Sequence, residues 1–167
     1  MLIRSSTMNV DQTLSIKFVS ADELSDLRRK ALRNNDARSH VRDPRDHEAG
    51  SLHLGGYLGH QLVACASFYE GAAPFSTHLT SWHMRFVGVH PSFQRQGHGS
   101  VLLHSAEGHL RELEVEQIWA NARDSALGFY QNLGWSEIPG SQHHSPPPLN
   151  LPHTVIYKVI KPRGRQS

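Results

Sequence analysis

The segment "QRQGHGS", Gln94 to Ser100, holds the residues of this sequence whose types and spacing best suit the binding of a charged ligand. It follows a strand-like apolar run and precedes apolar residues at helical spacing, so it is predicted to join a strand to the start of a helix. The first N–H groups of a helix have no partner inside the helix, and the helix dipole favours negative charge there. The segment therefore predicts a binding site for an anion such as a pyrophosphate.

The two glycines of this segment let the backbone approach a ligand closely, and the side chains beside them add hydrogen-bond donors. The candidate cofactor-binding residues of the loop are Gln94, Arg95, Gln96, Gly97, His98, Gly99 and Ser100. A Walker loop is excluded because no Gly-Lys-Ser/Thr is present, and Leu102 stands where a dinucleotide fingerprint places its third glycine. On the loop alone, a glycine-rich connector that binds nothing stays open as the alternative.

The alternation of apolar and polar residues shifts by one position within the predicted strand before the loop. Its apolar alternation runs from Trp82 to Phe86 and then shifts to Val87 and Val89 across Gly88. A phase slip beside a glycine indicates a β-bulge, which bends a strand and releases backbone groups from the ladder. We therefore expect free backbone N–H and C=O groups close to the glycine loop.

Two motifs of this chain resemble those of the GNAT superfamily of acyl-CoA-dependent N-acetyltransferases. The family pattern Gln/Arg-x-x-Gly-x-Gly/Ala is matched at Gln94, Gly97 and Gly99, after the Val-x-Pro of Val89 to Pro91. A second block, "NARDSALGFYQNLGW", is similar to the family segment Ala-x-x-Phe-Tyr-x-x-x-Gly-Phe; the matching residues are Ala126, Phe129, Tyr130, Gly134 and Trp135. This chain departs from the pattern with Arg123 where many relatives have Asn, and with Trp135 where Phe is usual.

The resemblance implies an α/β (α+β) fold: a mixed, mostly antiparallel central sheet with helices on both sides and a splayed, bulged central strand. It implies acetyl-CoA as the acyl donor, held by the glycine loop and by the backbone of Val87, Gly88 and Val89. The amine of a small-molecule acceptor would attack the thioester directly, with the Val89 N–H stabilising the oxyanion. Tyr130 matches the family's usual general acid for the departing thiolate. Asn121 would serve the pantetheine or the acceptor in place of the missing Asn.

The residue that deprotonates the amine is less evident, and the candidates are His53, Glu70, His83 and His153. The segment "NLPHTVIYK" is similar to the Gly-Ile-Pro-His segment of one bacterial GNAT subgroup, in which a second histidine lies on an early strand. His53 in "GSLHLGG" matches that second position, so His53 and His153 are predicted to line the acceptor pocket as catalytic residues. The alternative is that each is a surface or hydrogen-bonded structural histidine. Cys65 is predicted to be a buried strand residue, because direct attack needs no covalent nucleophile.

Hydrophobic periodicity predicts the elements that must position these residues, in the order β-α-β-β-β-α-β-α-β-β. "SADE", Ser20 to Glu23, is a capping box for a first helix that ends near Arg33. The basic residues of that helix, Arg28, Arg29, Lys30 and Arg33, are predicted to face solvent. Two strand-like runs around Gly59-His60 predict an antiparallel hairpin.

The composition of the chain argues against several other classes of function. A formal net charge of +2 without a basic stripe argues against nucleic-acid binding. One cysteine excludes an internal disulfide, and no apolar run approaches the roughly 20 residues of a membrane span. We expect one cytoplasmic domain over residues 1–167, with frayed ends at 1–12 and 162–167 and with no membrane partner. The 13 histidines lack metal-ligand spacing, so no metal is expected.

The sequence thus predicts an N-acetyltransferase whose partners are acetyl-CoA and a primary amine, with a homodimer as an untested hypothesis. A non-catalytic acyl-CoA-binding module is the alternative, and it would keep the glycine loop while Tyr130 became dispensable. A nucleic-acid or partner-protein module would rely on the basic helix, which lacks interleaved aromatic residues.

Overall fold

The structure is a computed structural model that describes residues 13–160. The predicted frayed ends, 1–12 and 162–167, lie outside the described residues. The helices and strands in chain order are β1 (Ser15–Phe18), α1 (Ala21–Leu32), β2 (Ser51–Leu58), β3 (Gln61–Glu70), β4 (Ser81–Val89), α2 (His98–Glu112), β5 (Gln117–Arg123), α3 (Leu127–Asn132), β6 (Ser136–Glu137), β7 (His143–His144) and β8 (Pro152–Val159). This order is the predicted one with the two-residue β7 added.

The strands form one sheet in the order β1-β2-β3-β4-β5-β8-β6, and β7 pairs with β8 outside that path. Each neighbouring pair is antiparallel except β4 and β5, which run parallel. The mixed, mostly antiparallel sheet that the sequence predicts is confirmed. No helix among the described residues is long and apolar enough to cross a membrane.

Helices cover both faces of the sheet. Helix α1 packs on one face, where Leu24 and Leu27 contact the buried Cys65 of β3. Helix α2 packs on the other, where Leu102 and Leu110 join the main core. Because side chains alternate along a strand, the two surfaces, called here the α1 face and the α2 face, are lined by alternate residues of each strand. The alternation decides from which face a residue reaches the centre of the sheet.

Helix α1 begins at the predicted capping box. The Ser20 side chain accepts a hydrogen bond from the Glu23 N–H, and the Glu23 carboxylate accepts one from the Ser20 N–H. One prediction for this helix is wrong, because Arg28 is fully buried instead of facing solvent. Its guanidinium lies 2.9 Å from the Asp46 carboxylate, so the segment after the helix folds back over the arginine and neutralises it.

The predicted bulge lies in β4 at Phe86. Opposite the single residue Ala66 of β3 stand two residues of β4, Phe86 and Val87, and Phe86 has a φ of 55°. Arg85 and Phe86 consequently lie together on the α1 face, with the Arg85 guanidinium 4.5 Å from the centroid of the Phe86 ring. Gly88 is paired with Cys65 and lies outside the bulge.

Gly88 instead permits close packing of α1. A Cβ at this position would lie 2.8 Å from the Cβ of Ala31, which is closer than two carbons approach without displacement. The last turn of α1 can therefore lie directly on β4.

Strands β4 and β5 diverge after a short parallel contact. Their pairing covers Ser81 to His83 on β4 and Gln117 to Trp119 on β5. Beyond it, β4 stays paired with β3 as far as Val89, and β5 stays paired with β8 as far as Arg123. The centre of the sheet therefore opens into a wedge.

Candidate active site

The wedge between β4 and β5 is a cleft of about 1580 Å³ that is lined from both faces of the sheet. From the α2 face it is lined by the start of α2 and by Phe129 and Tyr130 of α3. From the α1 face it is lined by the end of α1, by Asp36, by residues 38–40 and by residues 145–149. The cleft thus passes through the sheet and offers two separate approaches to its centre.

The glycine loop presents an uncapped helix start to this cleft. Gly97 is the N-cap residue of α2 with a φ of 82°, a left-handed conformation that favours glycine, and no side chain of the described residues caps the helix. A Cβ on Gly99 would lie 3.3 Å from the Phe129 ring, so the second glycine lets α2 pack closely on α3. The first N–H groups of the 15-residue helix are left for a ligand.

The edge of β4 beside the loop offers a free backbone donor. The His90 N–H donates to the Val63 carbonyl at 2.7 Å, and the preceding pair is Ala64 with Val89. Hydrogen-bonded and non-bonded pairs alternate in an antiparallel ladder, so the Val89 N–H is directed away from β3 towards the wedge. The Val89 carbonyl accepts a hydrogen bond from the Gln94 amide at 3.2 Å, which ties the loop to the strand.

The cleft brings together most of the predicted cofactor-binding residues. Those that line it are Val87, Gly88, Val89, Gln94, Arg95, Gly97, His98, Gly99, Ser100 and Asn121. Gln96 does not line the cleft, and its side-chain oxygen lies 3.3 Å from Nε2 of His98.

Tyr130 lines the cleft from the α2 face. Its ring is buried and packs edge-on against Phe129 and Trp135, with centroid separations of 5.0 and 5.5 Å. Burial raises the pKa of its hydroxyl above the usual value. The hydroxyl is therefore protonated at neutral pH and has a proton to donate.

His153 lines the cleft from the α1 face. It is paired with Arg123 across β5 and β8, and facing residues of an antiparallel pair share one face. Its Nδ1 lies 2.8 Å from the Leu151 carbonyl oxygen. Because a carbonyl only accepts, Nδ1 carries the proton and Nε2 keeps its lone pair.

His53, predicted to share the acceptor pocket with His153, does not line the cleft. Its Nε2 lies 2.9 Å from the Asp46 carbonyl oxygen and therefore donates, while Nδ1 lies 2.7 Å from the Ser67 hydroxyl and accepts. Both ring nitrogens are thus engaged in the buried network around Arg28. Burial lowers the pKa of His53, so the imidazole stays neutral in this network.

His83 does line the cleft, stacked on Trp119 with the ring centroids 3.9 Å apart. Its Nδ1 accepts a hydrogen bond from Arg45 at 3.1 Å, which places the proton on Nε2. Nε2 is buried and has no hydrogen-bond partner in the part of the chain that the structure describes. Burial and the positive charges of Arg45 and Arg85 lower the pKa of His83 to about 4, so the ring is neutral at pH 7.

Sequence reasoning missed four arginines of the cleft, Arg33, Arg38, Arg85 and Arg123. Arg33 follows the last turn of α1, where the helical pattern placed it on a solvent face; Arg85 and Arg123 lie on different strands. Their separation in sequence gives no local signal of a cluster. The departure from the family pattern at Arg123 was the one available sign.

The comparisons with known proteins agree with this geometry. The model of a protein family described as "Acetyltransferase (GNAT) family" matches residues 21–135. The chain belongs to the GNAT family. It is therefore an acyltransferase, and the family match ends at Trp135, before β7, β8 and His153.

Among relatives of this GNAT chain is the "Uncharacterized N-acetyltransferase YitI" of Bacillus subtilis (strain 168). The two are 30% identical over 152 residues, 89% of this chain and 97% of the relative. Among solved structures, a putative N-acetyltransferase from Lactobacillus plantarum has a TM-score of 0.69 at 17% identity, over 89% of this chain and 99% of that one. An aminoglycoside 6'-N-acetyltransferase complexed with coenzyme A has a TM-score of 0.66 at 14% identity, over 90% and 99% of the two chains. At these identities the structural likeness shows the GNAT fold alone.

Proposed function

We propose that this GNAT enzyme transfers the acetyl group of acetyl-CoA to the amine of a small molecule, by direct attack in a ternary complex. The observation that carries the proposal is the cleft through the sheet, with an uncapped helix start and Tyr130 on the α2 face and His153 on the α1 face. Donor and acceptor can enter from opposite faces and meet between β4 and β5. A ternary complex requires that arrangement.

The donor is assigned to the α2 face. The N–H groups at the start of α2 and the Arg95 side chain suit the pyrophosphate, and the free edge of β4 suits the amide groups of the pantetheine arm. Asn121 lies two residues before Arg123 on β5 and therefore lines the cleft from the α1 face, where its amide is placed to serve the acceptor. The coenzyme A complex of the aminoglycoside 6'-N-acetyltransferase shows that a GNAT fold holds this ligand, which supports the assignment.

The reaction requires two proton transfers. The acceptor nitrogen attacks the thioester carbonyl carbon and forms the N–C bond, and its proton passes to Nε2 of His153. The thioester carbonyl oxygen gains negative charge, and the Val89 N–H would stabilise that charge by donating a hydrogen bond. The C–S bond then breaks, and the coenzyme A sulfur takes a proton from the Tyr130 hydroxyl, which solvent later restores. Cys65 has no part in this step, because it is buried and burial raises its pKa to about 12.

A substitution in the glycine loop tests the donor site. Gly97→Glu places a carboxylate at the helix start and forces a non-glycine residue into φ 82°. Calorimetry with coenzyme A should show weaker binding by on the order of 100-fold for a folded variant, through charge repulsion and the lost backbone approach. Unchanged affinity would show that the phosphates bind elsewhere.

An amine screen with acetyl-CoA, followed by release of free thiol and by mass spectrometry of the product, tests the reaction itself. The expected result is turnover with at least one small amine and a mass gain of one acetyl group. Coenzyme A binding without acetylation of any amine would favour the alternative of a non-catalytic acyl-CoA-binding module.

A further inference from the structure

Three arginines from distant parts of the chain converge on the α1 face of the cleft. Arg33 follows α1, Arg85 lies on β4 and Arg123 ends β5. Arg85 is paired with the Asp43 carboxylate at 2.6 Å. Arg33 and Arg123 make no ion pair within residues 13–160, and both donate to the Leu32 carbonyl oxygen, at 3.0 and 2.6 Å.

Within residues 13–160, no carboxylate balances the positive charges of Arg33 and Arg123, whereas Arg85 has Asp43. Burial, together with the charges of Arg123 and Arg85, lowers the pKa of Arg33, so the three guanidinium groups repel one another. Of the described residues that line the cleft, Asp36 alone is acidic, and its carboxylate contacts Arg38. A single main-chain carbonyl cannot neutralise two guanidinium groups, which carry five N–H donors each.

A second, independent observation points to a missing hydrogen-bond acceptor on the same face. The Nε2–H of His83 is buried, lines the cleft and has no partner among residues 13–160, although buried donors are nearly always satisfied. The residue as a whole is 9% exposed. Its neighbours Arg45 and Arg85 are also donors, and the nearby Asp43 carboxylate accepts hydrogen bonds from both of these arginines.

The phosphates of the donor do not account for this cluster. The uncapped start of α2 lies on the α2 face, whereas Arg123 contacts the end of α1 and is paired with His153. The anion that these arginines suit must therefore enter from the side assigned to the acceptor. The inference rests on the proposed function, since it concerns the second substrate of that reaction.

We propose that the acceptor is a small amine that also carries an anionic group, a carboxylate or a phosphate, bound by Arg33 and Arg123. The planar guanidinium groups donate to both oxygens of such a group, and the Nε2–H of His83 supplies a further donor to the acceptor molecule. Binding the anion also fixes the amine relative to the thioester. The charged group thus sets specificity without entering the acetyl transfer itself.

A purely structural reading of the two arginines makes a different prediction. Basic side chains at a helix C-terminus stabilise the helix by binding its last carbonyls. In that case, replacing Arg33 or Arg123 would lower the melting temperature and would affect all acceptor amines alike. A specificity role instead predicts a selective loss for anionic amines.

Matched amine pairs separate these readings. Each pair shares its amine and differs in one charged group: an amino acid with its carboxamide, and phosphoethanolamine with ethanolamine. For the native enzyme, kcat/KM should be higher for the anionic member of at least one pair by on the order of 10- to 100-fold, the effect of a charge-assisted hydrogen bond. The pair with the larger ratio identifies the carboxylate or the phosphate as the natural group.

In the variants Arg33→Gln and Arg123→Gln, the ratio of kcat/KM between the anionic amine and its neutral partner should fall close to one. The main cause should be a higher KM for the anionic amine, while the affinity for coenzyme A stays unchanged. Arg42→Gln is the charge-matched control, because Arg42 is exposed and does not line the cleft. Neutral amines acetylated as well as their anionic partners, or an equal loss for both members in the variants, would overturn the inference. In either case, thiol release by neutral amines and coenzyme A binding would leave the acetyltransferase proposal intact.

Discussion

His153 and Tyr130 line one cleft from opposite faces of the sheet. His153 shares its face with Arg123, which contacts the end of α1, while Tyr130 belongs to the core beneath α2. The proton acceptor and the proton donor that we propose therefore stand on either side of the gap between β4 and β5. The relationship depends on the divergence of these strands after His83 and Trp119.

Tyr130→Phe should lower kcat by on the order of 100-fold, the usual contribution of a positioned general acid. Affinity for acetyl-CoA should change little, because the ring keeps its packing against Phe129 and Trp135. Steady-state kinetics and a thermal melt on the same preparation provide the measurement. A native kcat in this variant would remove Tyr130 from the mechanism.

His153→Ala should depress kcat without weakening coenzyme A binding, since it removes the lone pair assigned to the amine proton. His144→Ala is the control: His144 is exposed on the adjacent strand and does not line the cleft. Equal kinetics for the two variants would show that His153 takes no part in the reaction.

The buried pair of Arg28 and Asp46 should control stability in acid. Burial alone would raise the pKa of the Asp46 carboxyl, but hydrogen bonds from Arg28 and Tyr69 hold it below the ordinary value. A carboxyl with a lowered folded pKa stabilises the protein above its unfolded pKa, about 3.9. This stability should be lost progressively as the pH falls below that value.

Urea unfolding at several pH values measures the effect. Asp46→Asn should make the free energy of unfolding depend less on pH in acid, because an amide does not titrate. Arg28→Met leaves a buried carboxylate unpaired and should cost about 3–5 kcal/mol at neutral pH. Arg29→Met, at a half-exposed neighbouring position paired with an exposed Asp26, should cost less than about 1 kcal/mol. Similar losses for the two arginine variants would contradict the assigned burial.

Gly88→Ala should destabilise the protein by about 1–3 kcal/mol, the cost of forcing extra volume into a packed contact. The new methyl group would lie against Ala31 and push α1 away from β4. Gly108→Ala is the matched control on α2, because its Cβ meets no atom within 4 Å and alanine favours a helix. Urea unfolding should show a lower free energy of unfolding for Gly88→Ala and a higher one for Gly108→Ala. A Gly88→Ala variant as stable as the native protein would mean that α1 packs less closely on β4.

Features set by neighbouring residues could be predicted from the sequence. The capping box at Ser20, the hairpin turn at Gly59 and the glycine loop before α2 depend on side chains and backbone angles a few residues apart. The phase slip in β4 likewise encoded the bulge, although Phe86 rather than Gly88 adopts the unusual conformation. The family motifs lie in these same local segments, so the family could be identified before the fold was known.

The tertiary structure decided what depends on contacts between distant residues. Arg28 has the helical position of a surface residue, yet it is buried because the segment containing Asp46 folds over it. The same network engages both nitrogens of His53 and separates it from His153. The cluster of Arg33, Arg85 and Arg123 forms only because α1 lies on the diverging strands. Periodicity within one segment cannot predict a contact between distant segments. Local sequence thus specified the glycine loop, whereas long-range packing created the positive charge on the α1 face of the cleft.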